Sequence, residues 1–177
     1  FVGWRVFSEN AIVGRASFDG GVSWVPNKPY TVLPNFQAYD QIGQQMPLAP
    51  PARQQFRTNA YVTGGMDGSG VLHVAVSERV NAQGVPTAGG TPRIVVTSSY
   101  NGGSSWPPRK PVSLTGSGPQ FIPRVTIVAA PRRSGDPNNK TRADIFLAYY
   151  GPDARDFAAN SPGPIAGGNV RFHMYLS

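Results

Sequence analysis

Ser17-Phe18-Asp19-Gly20-Gly21-Val22-Ser23-Trp24 and Ser99-Tyr100-Asn101-Gly102-Gly103-Ser104-Ser105-Trp106 match position by position at a separation of 82 residues. Each follows a strand-like run, Ala11 to Ala16 and Arg93 to Ser98, and each precedes a short proline-bounded run, Tyr30 to Leu33 and Pro111 to Leu114. The residue types predict a tight, self-bonded loop. The Asp19 carboxylate is placed to accept hydrogen bonds from loop N–H groups. Gly20 and Gly21 admit backbone angles that other residues resist. Trp24 is a large apolar anchor for packing the loop onto the sheet edge. Asn101 in the second copy makes the same local bonds without the charge. These eight positions, Ser17, Asp19, Gly21, Trp24, Ser99, Asn101, Gly103 and Trp106, are read as structural.

A second repeat interleaves with the first. Gln55-Phe56-Arg57 opens one strand pattern and Gln120-Phe121-Ile122-Pro123-Arg124 opens another, 65 positions later. The first reads through Ala60 to Thr63, turns at Met66-Asp67-Gly68-Ser69-Gly70, and returns along Val71 to Val76. Asp-Gly between apolar runs is a strong hairpin signal. The second reads Val125 to Ala130, then a polar loop, then Asp144 to Tyr149. Phe1 to Phe7 matches the returning strands, and Val170 to Leu176 forms a last apolar run. The repeating unit is therefore four strands, A to D, with the Ser-x-Asp-x-Gly-x-x-Trp box between C and D. Such units are the blades of a β-propeller. About two and a half are expected: strands B–D in 1–35, a complete blade in 55–115 and strands A–C in 119–177. The chain, opening at Phe1, reads as a fragment of a larger propeller. Its open edges would be covered by the remainder of that propeller or by neighbouring chains.

Composition agrees with an all-β fold. Gly and Pro make up 39 of 177 residues, and Val plus Ile number 25 against 6 Leu and 2 Glu. That mixture starves helices and favours short strands joined by turns. No apolar run reaches the roughly 18 residues of a membrane span. Without cysteine there is neither a disulfide nor a thiolate metal site. His73 and His173 lie 100 residues apart with no ligand spacing, so no metal is expected. Gly64-Gly65 and Gly102-Gly103 lack the strand-to-helix context of a phosphate cradle, and no cofactor is expected. The charge of +7 comes from 13 Arg and 3 Lys scattered singly, with Arg132-Arg133 the densest cluster. A dedicated nucleic-acid site would gather them into a stripe, so none is expected. Asn139-Lys140-Thr141 is a glycosylation sequon, meaningful only in a secreted eukaryotic protein.

The box resembles the Asp-box, or bacterial neuraminidase repeat, of sialidases and related propellers, and the Gln-Phe-Ile-Pro opening at Gln120 is similar to strand A of secreted proteins carrying it. The resemblance implies a propeller, a secreted or extracellular setting (cell surface or periplasm included) and glycan ligands. It does not imply catalysis, because enzymes and non-enzymes share the box. A sialidase site would need an arginine triad, a Tyr–Glu nucleophile pair and an Asp acid/base. The family's Phe/Tyr-Arg-Ile-Pro signature is absent, since Phe56-Arg57 continues as Thr58-Asn59 and Phe121-Ile122-Pro123-Arg124 has another order. Arg57 and Arg124 remain candidates for carboxylate-pairing guanidinium groups, against a plain strand-end role. No close acid pair of the glycosidase kind is identifiable.

Topology puts the long connections, 34–55, 79–92 and 151–168, at the end opposite the boxes, where loops carry function. The candidate ligand residues there are Arg57, Arg124, Glu78, Arg79, Asp153, Arg155 and Asp156, with Tyr150 for sugar stacking. The leading expectation is a glycan- or surface-binding segment, non-catalytic in this stretch. Part of a sialidase-like glycoside hydrolase and an assembly module completed by other chains remain open alternatives.

Overall fold

The computed structural model describes residues 1–38, 46–47, 55–56, 60–112, 119–129, 143–152 and 172–176. Among them the chain is all-β, with no helix. The strands are β1 (Val2–Val6), β2 (Ala11–Ala16), β3 (Val25–Leu33), β4 (Met46–Pro47), β5 (Gln55–Phe56), β6 (Thr63–Met66), β7 (Leu72–Val80), β8 (Thr91–Ser99), β9 (Lys110–Pro111), β10 (Phe121–Ala129), β11 (Ala143–Pro152) and β12 (Phe172–Leu176). They form antiparallel meanders in chain order: β1-β2-β3, β6-β7-β8-β9 and β10-β11-β12, with β4-β5 as a separate pair. None closes into a barrel.

The four-stranded sheet is covered on both faces, and its central strands show why. β7 is buried at every position but Arg79, and β8 is buried along Pro92–Val95. Both are therefore near-continuous runs of Val, Ile and small residues rather than alternating ones. Successive side chains point to opposite faces. Val74, Val76 and Val80 join Ile12, Val32, Leu33 and Phe36 in one core shared with the first sheet. Ala75 and Ile94 pack with Leu147 and Tyr149 in a second core shared with the third sheet.

Single side chains stitch these sheets together. Gln120, buried just before β10, accepts the Ile94 N–H on its Oε1 (3.1 Å) and donates its own N–H to Pro92 O (2.9 Å). Ser77 donates its hydroxyl to the Gln120 carbonyl. On the other face the Glu78 carboxylate, fully buried, receives Arg109 Nε (2.6 Å), Arg109 Nη2 (2.7 Å) and the Gln37 N–H (2.9 Å). Arg109 also donates to Pro34 O (3.0 Å) and Asn35 O (3.3 Å), so one guanidinium fastens the chain after β3 to the end of β7. The segment is further held by Phe36 N–H to Asn10 O (2.6 Å) and Arg79 N–H to Gln37 O (2.9 Å).

One strand expectation is corrected. The residue pattern predicts the first strand of the complete unit from Gln55 through Ala60 to Thr63. Instead Gln55–Phe56 pairs with Met46–Pro47, and the strand beside β7 is Thr63–Met66. The turn is the reason: the Asp67 loop fixes the register of Met66 on Leu72, and pairing runs back only to Thr63 on Ala75. Elsewhere β2 has the predicted limits, β8 and β11 extend a few residues beyond theirs, and β3 starts earlier, at Val25.

Candidate functional site

The two boxes share one pattern of serine, Asp/Asn and glycine hydrogen bonds. Ser17 Oγ accepts the Gly21 N–H (2.7 Å) and donates to Asp19 Oδ1 (2.8 Å), while the Ser23 N–H reaches the carboxylate at 2.9 and 3.0 Å. In the second copy Ser99 Oγ accepts the Gly103 N–H (2.8 Å) and donates to Asn101 Oδ1 (2.9 Å), which accepts the Ser105 N–H (3.0 Å). Asn101 Nδ2 donates to Ser105 Oγ (2.8 Å), where Asp19 instead accepts from the Ser23 hydroxyl. The glycine pairs hold φ of 72° and 96° in one box and 68° and 93° in the other, the left-handed region that excludes most side chains. Trp106 donates its indole N–H to Gly103 O (3.0 Å) and packs against the first core.

The Ser23 hydroxyl and N–H, then the Ser17 hydroxyl, hold the Asp19 carboxyl down to about 2. A depressed carboxylate contributes stability above its ordinary range and loses it as pH falls through the native value. The loop is therefore expected to loosen between about pH 4 and pH 2, with the Ser23 amide shift titrating near 2. The Ser105 amide, bonded to an uncharged Asn101, should stay flat over that range, and Asp19→Asn should abolish the Ser23 step. Equal titration of both amides would show that another group governs the loops.

A cluster that the sequence reading did not assemble lies at the same end. His73 and Ser98 are cross-strand partners, and Ser98 Oγ is 2.8 Å from His73 Nδ1. His73 Nε2 is 3.4 Å from Asp67 Oδ2. Burial pushes the Asp67 carboxyl up, but hydrogen bonds from Ser69, Val71 and His73 outweigh it and hold the group below its ordinary value. Beside an ionised Asp67, which can only accept, Nε2 is the donor of this contact. The His73 and Asp67 side chains are only 10% and 7% exposed, which suits a brace for the β6–β7 hairpin.

At the opposite end the β7–β8 connection folds into a cleft of about 530 Å³. Asn81 Oδ1 accepts the Gln83 and Val85 N–H groups (3.0 and 2.9 Å), and Gly84 takes φ of 80°. Asp67 organises its hairpin in the same way, with Ser69 and Val71 N–H at 2.8 and 3.0 Å and Gly70 at φ of 84°. The shared Asn/Asp-x-x-Gly-Val spacing, Asp67 to Val71 and Asn81 to Val85, is readable in the chain. The connection then closes through Gly90 N–H to Thr87 O (3.0 Å) and Arg79 Nη1 to Gly90 O (3.1 Å). A Cβ on Gly90 would lie 2.3 Å from Val80 O, so only glycine permits this approach. Asn81, Thr87, Gly89, Gly90, Thr91 and Arg93 line the result. Arg93 is 9% exposed. Burial lowers its pKa, partly countered by Tyr149, yet a guanidinium remains a cation in proteins.

The expected ligand residues divide. Glu78 is enclosed and fully engaged with Arg109 and Gln37, so its carboxylate serves the joint between sheets. Arg79 shapes the cleft from behind through Gly90. Arg124 is exposed on β10, opposite Ala148, and Tyr150 stacks on Phe121 with ring centroids 6.3 Å apart. Arg57, Asp153, Arg155 and Asp156 lie outside the described residues, as does the Asn139 sequon. Arg93 was missed because a strand-start arginine carries no signal of its surroundings. No protein-family model, curated protein or solved structure matches this chain. Among the described residues no group of three His, Cys, Asp or Glu could hold a metal, and no helix is long and apolar enough to cross a membrane.

Proposed function

We propose that the chain is part of a secreted or extracellular Asp-box β-propeller and binds glycans without cleaving them, through the cleft at the β7–β8 connection. The observation that carries this reading is the cleft's lining: a buried arginine with amide, hydroxyl and glycine groups, and none of the carboxylates among the described residues. Glycoside hydrolysis needs two placed carboxyl groups, whereas recognition of an acidic sugar needs a guanidinium and hydrogen-bonding groups. The propeller reading is supported by the repeated box loops, by the four-strand meander and by its face-to-face packing against a like sheet on each side. Apolar side chains left exposed on the outer sheets, Val2 (48%) and Trp4 (37%) on one and Val128 (46%) and Phe146 (47%) on the other, fit cover by further sheets or neighbouring chains.

The test is saturation-transfer NMR with 3′-sialyllactose beside turnover of a fluorogenic sialoside. Binding without turnover is expected. Arg93→Lys keeps the charge but loses the planar fork, and should weaken binding about tenfold with chemical-shift dispersion preserved. Turnover above the blank would restore the hydrolase reading, and absence of binding would remove the cleft as a glycan site.

A further inference from the structure

Asn101-Gly102 is the only Asn-Gly pair in the chain, and Asn101 holds the position in the second box that Asp19 holds in the first. Asn101 is exposed. Its Oδ1 accepts the Ser99 hydroxyl (2.9 Å) and the Ser105 N–H (3.0 Å), and its Nδ2 donates to Ser105 Oγ (2.8 Å). The N–H groups that follow are also engaged, Gly103 on Ser99 Oγ (2.8 Å) and Ser104 on the Asn101 carbonyl (3.4 Å). Gly102 is the exception, because its N–H has no hydrogen-bond partner among the described residues. The fold also demands glycine here. Gly102 and Gly103 hold φ of 68° and 93°. Phe18 Cζ lies 3.4 Å from where a Cβ on Gly102 would be, and Tyr30 Cε2 lies 2.6 Å from the same point on Gly103.

We propose that Asn101 is a site of spontaneous deamidation, whose aspartate product turns the second box into a copy of the first. The Gly102 nitrogen attacks Asn101 Cγ, and the new N–Cγ bond closes a succinimide ring. The Cγ–Nδ2 bond breaks, and Nδ2 leaves as ammonia with the proton that Gly102 gives up. Water then adds to Cγ and breaks its bond to Gly102, whose nitrogen regains a proton. The sum is one water consumed and one ammonia released, with no oxidation. The attacking nitrogen has no hydrogen bond to lose, and glycine brings no side chain to crowd it. The Ser99 hydroxyl and the Ser105 N–H already donate to the oxygen on which negative charge develops as Cγ becomes tetrahedral. Asp19 shows that the loop accepts the product, since its carboxylate takes the equivalent bonds from the Ser17 hydroxyl and the Ser23 N–H. Ser105 has only to turn its hydroxyl from acceptor to donor, because a carboxylate has no hydrogen to give. Opening the ring at the main-chain carbonyl instead would give isoaspartate. That adds an atom to the main chain and moves the Gly103 and Ser105 N–H groups off their acceptors, so the folded loop selects aspartate. The site rests on these bonds alone and is independent of the glycan reading.

Incubating the fresh full chain in mildly alkaline buffer, with peptide mass spectrometry and amide NMR on the same sample, tests this. The peptide carrying Asn101 should be the first of the asparagine peptides to exchange its amide for an acid. Its main product should co-elute with the peptide from an Asn101→Asp variant. The Ser105 amide should acquire an acid titration step like that of the Ser23 amide beside Asp19, which the fresh chain lacks. In the urea-unfolded chain, where no loop guides ring opening, isoaspartate should dominate. Asn101→Gln would have to close a larger ring and should keep its amide. Retention of the Asn101 amide while other asparagines convert would mean that its hydrogen bonds lock the side chain, and would overturn the proposal. Isoaspartate as the main product of the folded chain, or one product ratio for folded and unfolded chains, would overturn it equally.

Discussion

Arg109→Ala is expected to cost about 3–5 kcal/mol of unfolding free energy, because it leaves a buried carboxylate without its partner. Glu78 is 0% exposed and Arg109 reaches both of its oxygens, at 2.6 and 2.7 Å. The substitution also removes the two bonds to Pro34 and Asn35 that fasten the chain after β3. Burial already pushes the Glu78 carboxyl up, more than Arg109 and the Gln37 N–H pull it down. A carboxyl whose native pKa is raised favours the folded state while it is protonated, and that advantage is lost as pH rises through the native value. With the guanidinium gone the group titrates higher still, so the deficit should be larger at pH 8 than at pH 5. Urea unfolding at the two pH values measures this. Replacing both partners, Glu78→Leu with Arg109→Met, should recover much of the loss, since the apolar pair leaves no buried charge. A deficit of the single variant below about 1 kcal/mol, the range of exposed ion pairs, would mean that water reaches Glu78.

Phe36→Ala is expected to cost a similar amount, about 3–5 kcal/mol, by a different mechanism. Phe36 is 1% exposed and belongs to the core shared by the first two sheets, with Ile12, Val32 and Leu33 on one side and Val74, Val76 and Val95 on the other. Its ring also lies under the Arg5 guanidinium, 5.4 Å from the centroid. Truncation removes the transfer free energy of the ring and leaves a cavity, which neighbours from two different sheets can fill only by moving the sheets. Phe36→Leu keeps most of the volume and should cost less than about 1.5 kcal/mol. Equal costs for the two substitutions would show that the hydrogen bond from the Phe36 N–H to Asn10 O, rather than the ring, holds this segment.

Both residues mark a limit of reading along the chain. Phe36 and Arg109 lie outside the repeated boxes, in connections that carry no periodicity, and nothing adjacent in sequence announces that they meet. Glu78 shows the same limit from the other side. Its place at the end of a strand, near a long connection, fits a ligand group, and only the arrival of Arg109 from 31 residues away turns it into a joint.

The sequence by itself determined the local architecture. Val- and Ile-rich runs separated by Gly, Pro, Asp and Asn dictate short strands and tight turns, because side-chain shape and backbone freedom act over a few residues. The role of Asp19 as acceptor for its own loop was legible, since its partner, the Ser23 N–H, lies four positions away. The tertiary structure decided which sheet faces meet, that Gln55–Phe56 leaves the strand expected to contain it, and that Arg93 lies in a cleft. It also decided that two rings from β3 and the first box rest on the glycines of the second. The meeting of sheet faces and the seating of the rings depend on burial between residues far apart in the chain, and such energies exist only once the sheets have packed.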